Sequence, residues 1–185
     1  MKIKEKIIWA CRNLARSKGF YSPTMDELAA EAGVSKRTVY RYFHSKEEII
    51  ETTLESFMQE IYDFVQNLLA QNLPPEETLS QLIKTLLING QFIFNPPSLE
   101  DLRIHYPFLW QRIDQFRMQR IREVLANVVE NSDKEQLHQI NPRLLAAVIQ
   151  ASIQATINPD FLLSNQLNFE DAVMQLSKFW IAALF

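Results

Sequence analysis

The stretch from Thr24 to Lys46 constrains the fold of this chain more than any other, because it carries closely spaced helix starts and one helix stop. Thr24 followed by Glu27 is the pattern of a capping box, which begins a helix. Gly33 suits the left-handed position that ends a helix without steric cost. Ser35 is then placed to cap a second short helix. Two short helices joined by a three-residue turn predict a helix-turn-helix.

The second of these helices carries side chains suited to DNA. Val39 and Phe43 are four residues apart, so they share one face and are expected to point inward. Cations and hydroxyls near the N-terminal end of a helix are groups that a major groove accepts. The alternative is a solvated basic helix that packs against its neighbour. The remaining circumference is covered by Lys36, Arg37, Thr38, Tyr40, Arg41 and Tyr42.

The run GVSKRTVYRYFHSKEEII, residues 33–50, resembles the signature of the TetR/AcrR family of transcriptional regulators. The resemblance covers roughly residues 5–55; beyond them it rests on length and helical layout. It implies an N-terminal DNA-binding domain of three helices over residues 1–46. It also implies that residues 47–185 form a helical bundle for ligand binding and dimerisation.

Composition agrees with an all-α fold of about nine helices. The chain is 47% hydrophobic and has only three glycines among 185 residues, which favours long helices over a turn-rich β fold. The fourth helix begins at Lys46 and has no breaker before Pro74. At about 1.5 Å per residue it spans roughly 40 Å, so it is expected to join the two domains. The other helices are predicted over residues 2–18, 76–94, 98–105, 108–130, 141–157 and from 168 to the end, and residues 131–139 are predicted as a polar loop.

The charge distribution supports DNA binding although the overall net charge is −3. Residues 1–46 hold ten Lys and Arg against four Asp and Glu, a balance of +6, and the remainder therefore carries −9. A positively charged N-terminal segment joined to a negatively charged remainder is expected of a phosphate-binding module attached to a part that does not bind DNA.

The predicted DNA contacts separate into those that read bases and those that hold the backbone. Lys36 and Arg37 are expected at base edges, and Tyr40 at a thymine methyl or the backbone. The resemblance implies the same roles, except that relatives commonly have a small residue at position 37. Arginine there either adds a base contact or contacts phosphate instead. Phosphate contacts are predicted for Thr24, Ser35, Thr38, Tyr42 and Lys46, and Arg41 completes the predicted DNA-binding surface.

The second domain is expected to hold an effector pocket and a dimer interface. Aromatic residues among the fourth to eighth helices indicate a small hydrophobic effector, although packing in the core is the alternative for each of them. The predicted pocket wall consists of Phe57, Ile61, Phe64, Phe92, Tyr106, Trp110, Phe116 and Gln150. Residues 144–157 are nearly uncharged and contain small residues, and the last helix is strongly apolar, so a second copy of the chain is expected to cover the last two helices. The alternative is that these helices form only the core of their own domain. The predicted interface consists of Ala147, Ala151, Ala155, Val173, Leu176 and Trp180.

The seventh helix carries several arginines on the face opposite its apolar residues. A solvated charged face is the simpler interpretation. The alternative is that one arginine turns inward to meet an acidic ligand. The four residues are Arg112, Arg117, Arg120 and Arg122.

No catalytic constellation, metal site, cofactor motif or membrane span is expected. His44, His105 and His138 have no metal-ligand spacing, and no apolar run reaches the roughly 18 residues that a span needs. The single cysteine, Cys11, fits a reducing cytoplasm. The sequence therefore predicts a dimeric, ligand-responsive regulator that binds a near-palindromic duplex, most simply a repressor. The alternative is a helical ligand-binding or adaptor protein with a vestigial DNA-binding head.

Overall fold

The computed structural model describes residues 2–130 and 139–184, and this part of the chain forms ten helices and no strand. The predicted all-α class is confirmed. None of the helices within these ranges is both long and apolar enough to cross a membrane. The helices are α1 (Ile3–Lys18), α2 (Met25–Glu31), α3 (Lys36–Tyr42), α4 (Lys46–Leu69), α5 (Pro75–Asn89), α6 (Pro96–Ile104), α7 (Pro107–Glu130), α8 (Pro142–Thr156), α9 (Pro159–Ser164) and α10 (Phe169–Leu184).

The helix starts and the stop around α2 and α3 follow the predicted local chemistry. The Thr24 hydroxyl accepts a hydrogen bond from the N–H of Glu27 at 3.2 Å, and the Glu27 carboxylate accepts one from the N–H of Thr24 at 2.8 Å. Ser35 caps α3 by accepting from the N–H of Thr38 at 3.1 Å. Gly33 has a φ of +65°, the left-handed conformation that glycine adopts readily. These short-range bonds confirm the helix-turn-helix.

The structure corrects the predicted boundary between the fifth and sixth helices. The fifth helix ends at Asn89 rather than at residue 94, and the chain turns through hydrogen bonds from the N–H groups of Ile93 and Phe94 to the carbonyl of Gly90. Asn95 caps the sixth helix by accepting from the N–H of Ser98 at 2.9 Å, so this helix begins at Pro96 rather than at residue 98. The apolar run 92–94 is typical of a helix, but here its side chains are buried in a turn.

The short helix α9 does not follow from the sequence pattern, in which Asn158 and Pro159 interrupt the preceding helix. Asn158 caps this short helix by accepting from the N–H of Phe161 at 2.9 Å, and Pro159 occupies its first position. Proline at the first position is compatible with a helix, because the N–H that it lacks would have no partner there. The polar segment 131–139 lies outside the described residues, apart from Gln139.

The chain divides into two compact units. The first comprises Met1–Gln59 and Gly90–Gln111, and the second comprises Glu60–Asn89 and Arg112–Phe185. The first unit therefore contains α6 in addition to α1, α2, α3 and the beginning of α4. The functional boundary after residue 46 stays a prediction.

Aromatic side chains occupy the core of the first unit. The Phe92 ring makes edge-on contacts with Phe20 at 6.2 Å and with Phe57 at 5.4 Å between centroids. Cys11 lies in the buried stripe of α1, where burial raises the pKa of its thiol to about 11. Cys11 is thus a small side chain buried in the core of this unit.

The second unit has a separate apolar cluster in which α8 contributes Leu145 and Ile149 and α7 contributes Leu125. Trp180 of α10 packs against this cluster, and its ring N–H donates to the hydroxyl of Ser152 at 3.2 Å. The tryptophan thereby combines apolar packing with a satisfied donor.

Candidate nucleic-acid interface

One face of α3 is fixed in the core and the other is open to solvent. Val39 and Phe43 are fully buried, as the spacing predicted. Tyr40 is 47% exposed, and the side chains of Lys36, Arg37 and Arg41 are also exposed. The buried pair sets the rotation of the helix, so the cations and tyrosines remain available to a partner.

Lys36 is held beside α2 by an ion pair that the sequence analysis missed. Its ammonium lies 2.8 Å from the Asp26 carboxylate. Hydrogen bonding to Asp26 raises the pKa of Lys36 above its usual value. Both side chains are well exposed, and an exposed ion pair of this kind contributes little to stability. Lys36 can therefore leave Asp26 for a base or a phosphate at small cost.

Two of the hydroxyl residues predicted to contact phosphate, Thr24 and Ser35, also serve as helix caps. The hydroxyls of Ser35 and Thr38 lie 2.9 Å apart, and that of Thr24 lies 3.0 Å from the carboxylate of Glu27. A hydroxyl has one donor position, and the Thr24 hydroxyl donates to the Glu27 carboxylate, so it must release that bond in order to donate to a phosphate. The cap geometry thus fixes where these groups face.

Lys46 is oriented by the link between α1 and α2. Its ammonium donates to the backbone carbonyl of Tyr21 at 2.5 Å and lies 5.0 Å from the centroid of the Tyr21 ring. Tyr21 itself is 52% exposed. Sequence reasoning did not find this partner, because no local spacing connects two positions so far apart in the chain.

A carboxylate of α6 holds that same link in place. Asp101 accepts hydrogen bonds from two consecutive backbone groups, the N–H of Phe20 at 2.7 Å and that of Tyr21 at 2.9 Å. The Tyr21 ring also stacks on the His105 ring at 3.7 Å between centroids. The segment that precedes α2 is therefore fixed by residues about 80 positions later in the chain.

Two further side chains near the start of α6 secure the C-terminal end of α1. The Asn95 amide donates to the backbone carbonyl of Ala15 at 3.1 Å. The Ser98 hydroxyl shares its single hydrogen between that carbonyl, at 3.1 Å, and the carbonyl of Phe92, at 2.7 Å. The Ala15 carbonyl lies in the last turn of α1 and also accepts from the backbone N–H of Gly19 at 3.1 Å. We refer to Asn95, Ser98 and Asp101 as the α6 clamp. Nothing in the local sequence of these three residues indicated that they contact α1.

The predicted pocket residues are divided between the two units. In the first unit, Phe57 and Phe92 pack against each other, and Tyr106 is buried, which raises its pKa to about 12. In the second unit, the Gln150 amide donates to the backbone carbonyl of Met118 at 3.1 Å. A shared pocket therefore stays a prediction. The first unit also holds Trp110, and the second also holds Ile61, Phe64 and Phe116.

The predicted dimer residues occupy α8 and α10. Ala147, Ala151 and Ala155 are exposed on α8, whereas Val173, Leu176 and Trp180 of α10 are half-buried. Large apolar neighbours are exposed beside them: Leu144, Val148, Met174 and Phe179. Among the described residues, no group of three His, Cys, Asp or Glu side chains could hold a metal ion.

A buried helix-turn-helix core with an exposed basic α3 defines the class of helix-turn-helix DNA-binding regulators. Residues 7–53 match the model of the bacterial regulatory proteins of the tetR family. The HTH-type transcriptional regulator YvaF of Bacillus subtilis (strain 168) is 30% identical over 167 residues, which cover 88% of this chain and 85% of that protein. The chain belongs to the tetR family of transcriptional regulators.

Solved structures with low identity share the fold. A TetR transcription regulator from Haloarcula marismortui ATCC 43049 superposes with a TM-score of 0.70 at 17% identity, over 96% of this chain and 93% of that one. The transcriptional regulator FadR from Bacillus subtilis, solved in complex with stearoyl-CoA, gives a TM-score of 0.62 at 17% identity, over 98% and 99% of the two chains. These similarities establish the fold.

Proposed function

We propose that this chain is a dimeric repressor that a small hydrophobic effector releases from a near-palindromic operator. The observation that carries the proposal is the orientation of α3, whose Val39 and Phe43 are fully buried while its cations are exposed. Lys36 and Arg37 lie in the first turn of α3, the part of a recognition helix that contacts base edges. Bidentate contact from Arg37 to a guanine would provide most of the discrimination.

Contacts to the phosphates of the DNA backbone would set the position of α3 along the groove. The hydroxyls of Thr24 and Ser35 lie at the N-terminal ends of α2 and α3, where free N–H groups favour an anion. Lys46 begins α4, so its ammonium adds charge at another helix start. Thr38, Tyr40, Arg41 and Tyr42 would complete the contacts along α3.

The exposed apolar face of α8 supports dimerisation. Leu144, Val148 and Ala151 recur at helical spacing, and Leu144 and Val148 are 61% and 47% exposed. Phe179 of α10 is also 61% exposed. An apolar surface of this extent is expected to be covered. A second copy of the chain is the occupant that we propose, because a two-fold dimer would present two copies of α3 to a palindrome.

Effector control requires that the ligand bind the DNA-free state better than the DNA-bound state, since equal affinity for both shifts nothing. A hydrophobic, acyl-type effector is supported by the stearoyl-CoA complex of the structurally similar FadR from Bacillus subtilis. It is supported also by the aromatic residues of the predicted pocket.

The test uses fluorescence anisotropy with the duplex that flanks the gene of this chain, at low salt. We expect saturable binding, strong loss in a Lys36→Ala, Arg37→Ala double variant, and little change in Lys84→Ala, which removes an exposed cation in the second unit. Sedimentation velocity should show a dimer that Ala151→Glu dissociates and the matched exposed substitution Ala126→Glu does not. A monomer that ignores every duplex would favour the adaptor alternative.

A further inference from the structure

Arg120 of α7 is buried inside the second unit, with 7% of its surface exposed. Within residues 2–130 and 139–184, Nη2 is the one nitrogen of Arg120 with a carboxylate partner, and it lies 2.8 Å from Glu123. Its Nε and Nη1 atoms are buried without a hydrogen-bond acceptor. A guanidinium has five N–H donors and stays protonated in a protein, so Arg120 cannot avoid its unpaired donors by losing a proton.

The neighbouring Arg117, which is partly buried, has a hydrogen-bond acceptor for each of its two terminal nitrogens. Its Nη1 donates to the backbone carbonyl of Ile157 at 2.7 Å, and its Nη2 pairs with Asp114 at 2.5 Å. In the part of the chain that the structure describes, no backbone carbonyl accepts from Nη1 of Arg120. Buried polar groups without partners are rare in folded proteins, and each one requires an explanation.

Two aromatic rings lie beside the Arg120 guanidinium, those of the exposed Tyr62 and the partly buried Phe116. Its central carbon lies 4.8 Å from the centroid of Tyr62 and 5.4 Å from that of Phe116. These rings favour a cation through their π faces, but they do not replace the oxygen acceptors that N–H donors lose on burial. They do provide an apolar surface directly beside the unused donors.

We propose that Arg120 anchors the carboxylate of an acidic, largely apolar ligand. The ligand oxygens would accept from the donors that Glu123 leaves unused, and its apolar body would contact Tyr62 and Phe116. Charge-assisted hydrogen bonds to arginine are strong and directional, and they gain most where water is excluded. Glu123 holds Nη2 from a partly exposed position and also accepts from the Gln66 amide at 3.3 Å, so it can remain in place.

This inference deepens the proposed function, because the ligand would be the effector and Arg120 would select its acidic group. Of the four arginines of α7, Arg120 is then the one that turns inward to meet an acidic ligand. The arginine two residues further, Arg122, is exposed and its Nε donates to the backbone carbonyl of Met118. Arg122 is therefore a matched control on the same helix.

The experiment is titration calorimetry of the full chain without DNA, using dodecanoate, 1-dodecanol and inorganic phosphate as probes. We expect dodecanoate to bind, and Arg120→Gln to weaken it at least about tenfold, while Arg122→Gln binds it like the wild type. The neutral alcohol should bind more weakly than dodecanoate and should be insensitive to Arg120→Gln. Inorganic phosphate, which lacks an apolar body, should not bind detectably.

Thermal unfolding without ligand gives a second measurement. A buried charge with unused donors adds little to stability, so Arg120→Met should unfold at the wild-type temperature or above. Loss of the helical fold in both the Gln and the Met variants would contradict the proposal. Equal affinity of dodecanoate for wild type and Arg120→Gln, no dodecanoate binding at all, or phosphate binding in its place would also overturn it. Operator binding that another compound relieves would meanwhile leave the proposed function intact.

Discussion

The carboxylate of Asp101 lies 2.7 Å from the backbone nitrogen of Phe20 and accepts its hydrogen bond, although 81 positions separate the two residues in the chain. The same oxygen accepts from the N–H of Tyr21. Tyr21 in turn contacts Lys46, one of the cations proposed to hold phosphate. One side chain of α6 thus fixes the backbone just before the helix-turn-helix.

Removing this carboxylate should destabilise the protein. We expect Asp101→Ala to lower the free energy of unfolding by about 1–3 kcal/mol, because two backbone donors lose their acceptor. Asp101→Asn keeps an oxygen and should cost less. The measurement is urea unfolding followed by circular dichroism. Glu100→Ala is the control, since it breaks only an exposed ion pair with Arg103 and should change little.

The two glycines of the first unit with positive φ should respond differently to alanine. Gly19 has φ +73°, and a Cβ there would lie 2.2 Å from an Asp101 carboxylate oxygen and 3.0 Å from the backbone of Pro97. Gly33 has φ +65° with nothing within 4 Å of a Cβ. Gly33→Ala should cost about 1–2 kcal/mol from backbone conformation alone, and Gly19→Ala clearly more. Thermal unfolding of both variants tests this, and equal losses would contradict the steric argument.

Stability should fall in acid through Glu27. Hydrogen bonds from Lys18, and then from the backbone and hydroxyl of Thr24, lower the pKa of Glu27 to about 2. Because the folded pKa lies below the ordinary value of 4.5, the stabilisation is complete above that value and is lost as the pH falls towards 2.

Glu27→Gln keeps the side-chain oxygen of the capping box but removes the charge. Its unfolding midpoint in urea should therefore depend less on pH than that of the wild type between these limits. Lys18→Gln should act on the same interaction, so adding it to Glu27→Gln should have little further effect. Additive losses in this double-mutant cycle would show that the two side chains are not coupled.

The thiol of Cys11 should report unfolding. It is buried, and burial raises its pKa to about 11, so at pH 8 its thiolate fraction is more than about a hundredfold below that of a free cysteine. Iodoacetamide should label the native protein very slowly and the protein in urea rapidly, as mass spectrometry would show. Fast labelling without denaturant would mean that α1 opens readily.

Arg37 and Lys46 should affect DNA binding in different ways. Arg37→Ala should reduce the preference for operator over random DNA by about 1–3 kcal/mol, since a base contact carries sequence information. Lys46→Ala should weaken binding to all duplexes alike and reduce the salt slope by about one unit. Anisotropy titrations at several salt concentrations distinguish the two. An equal loss on both kinds of DNA for Arg37→Ala would assign it to phosphate instead.

Local chemistry made the helix-turn-helix predictable. Thr24 with Glu27, Ser35 with Thr38, and Gly33 act over three or four residues, so their spacing alone reveals the caps and the turn. The inward face of α3 followed from the same periodicity.

Long-range contacts could not be predicted in the same way. The α6 clamp depends on backbone groups of α1 and of the link after it, and a lone Asn, Ser or Asp in a helix start looks like an ordinary cap. The ion pair of Lys36 with Asp26 likewise connects two helices whose packing the local pattern does not specify. Among the arginines of α7, periodicity placed all four opposite the apolar face and did not single out Arg120.

The inclusion of residues 90–111 in the first compact unit has a practical consequence for protein engineering. An excised N-terminal fragment that ended at Gln59 would lose Asn95, Ser98 and Asp101, and with them the acceptors and donors that seat the end of α1 and the following link. A hybrid regulator with exchanged DNA specificity should therefore take both segments of the first unit, residues 1–59 and 90–111, from the same parent protein.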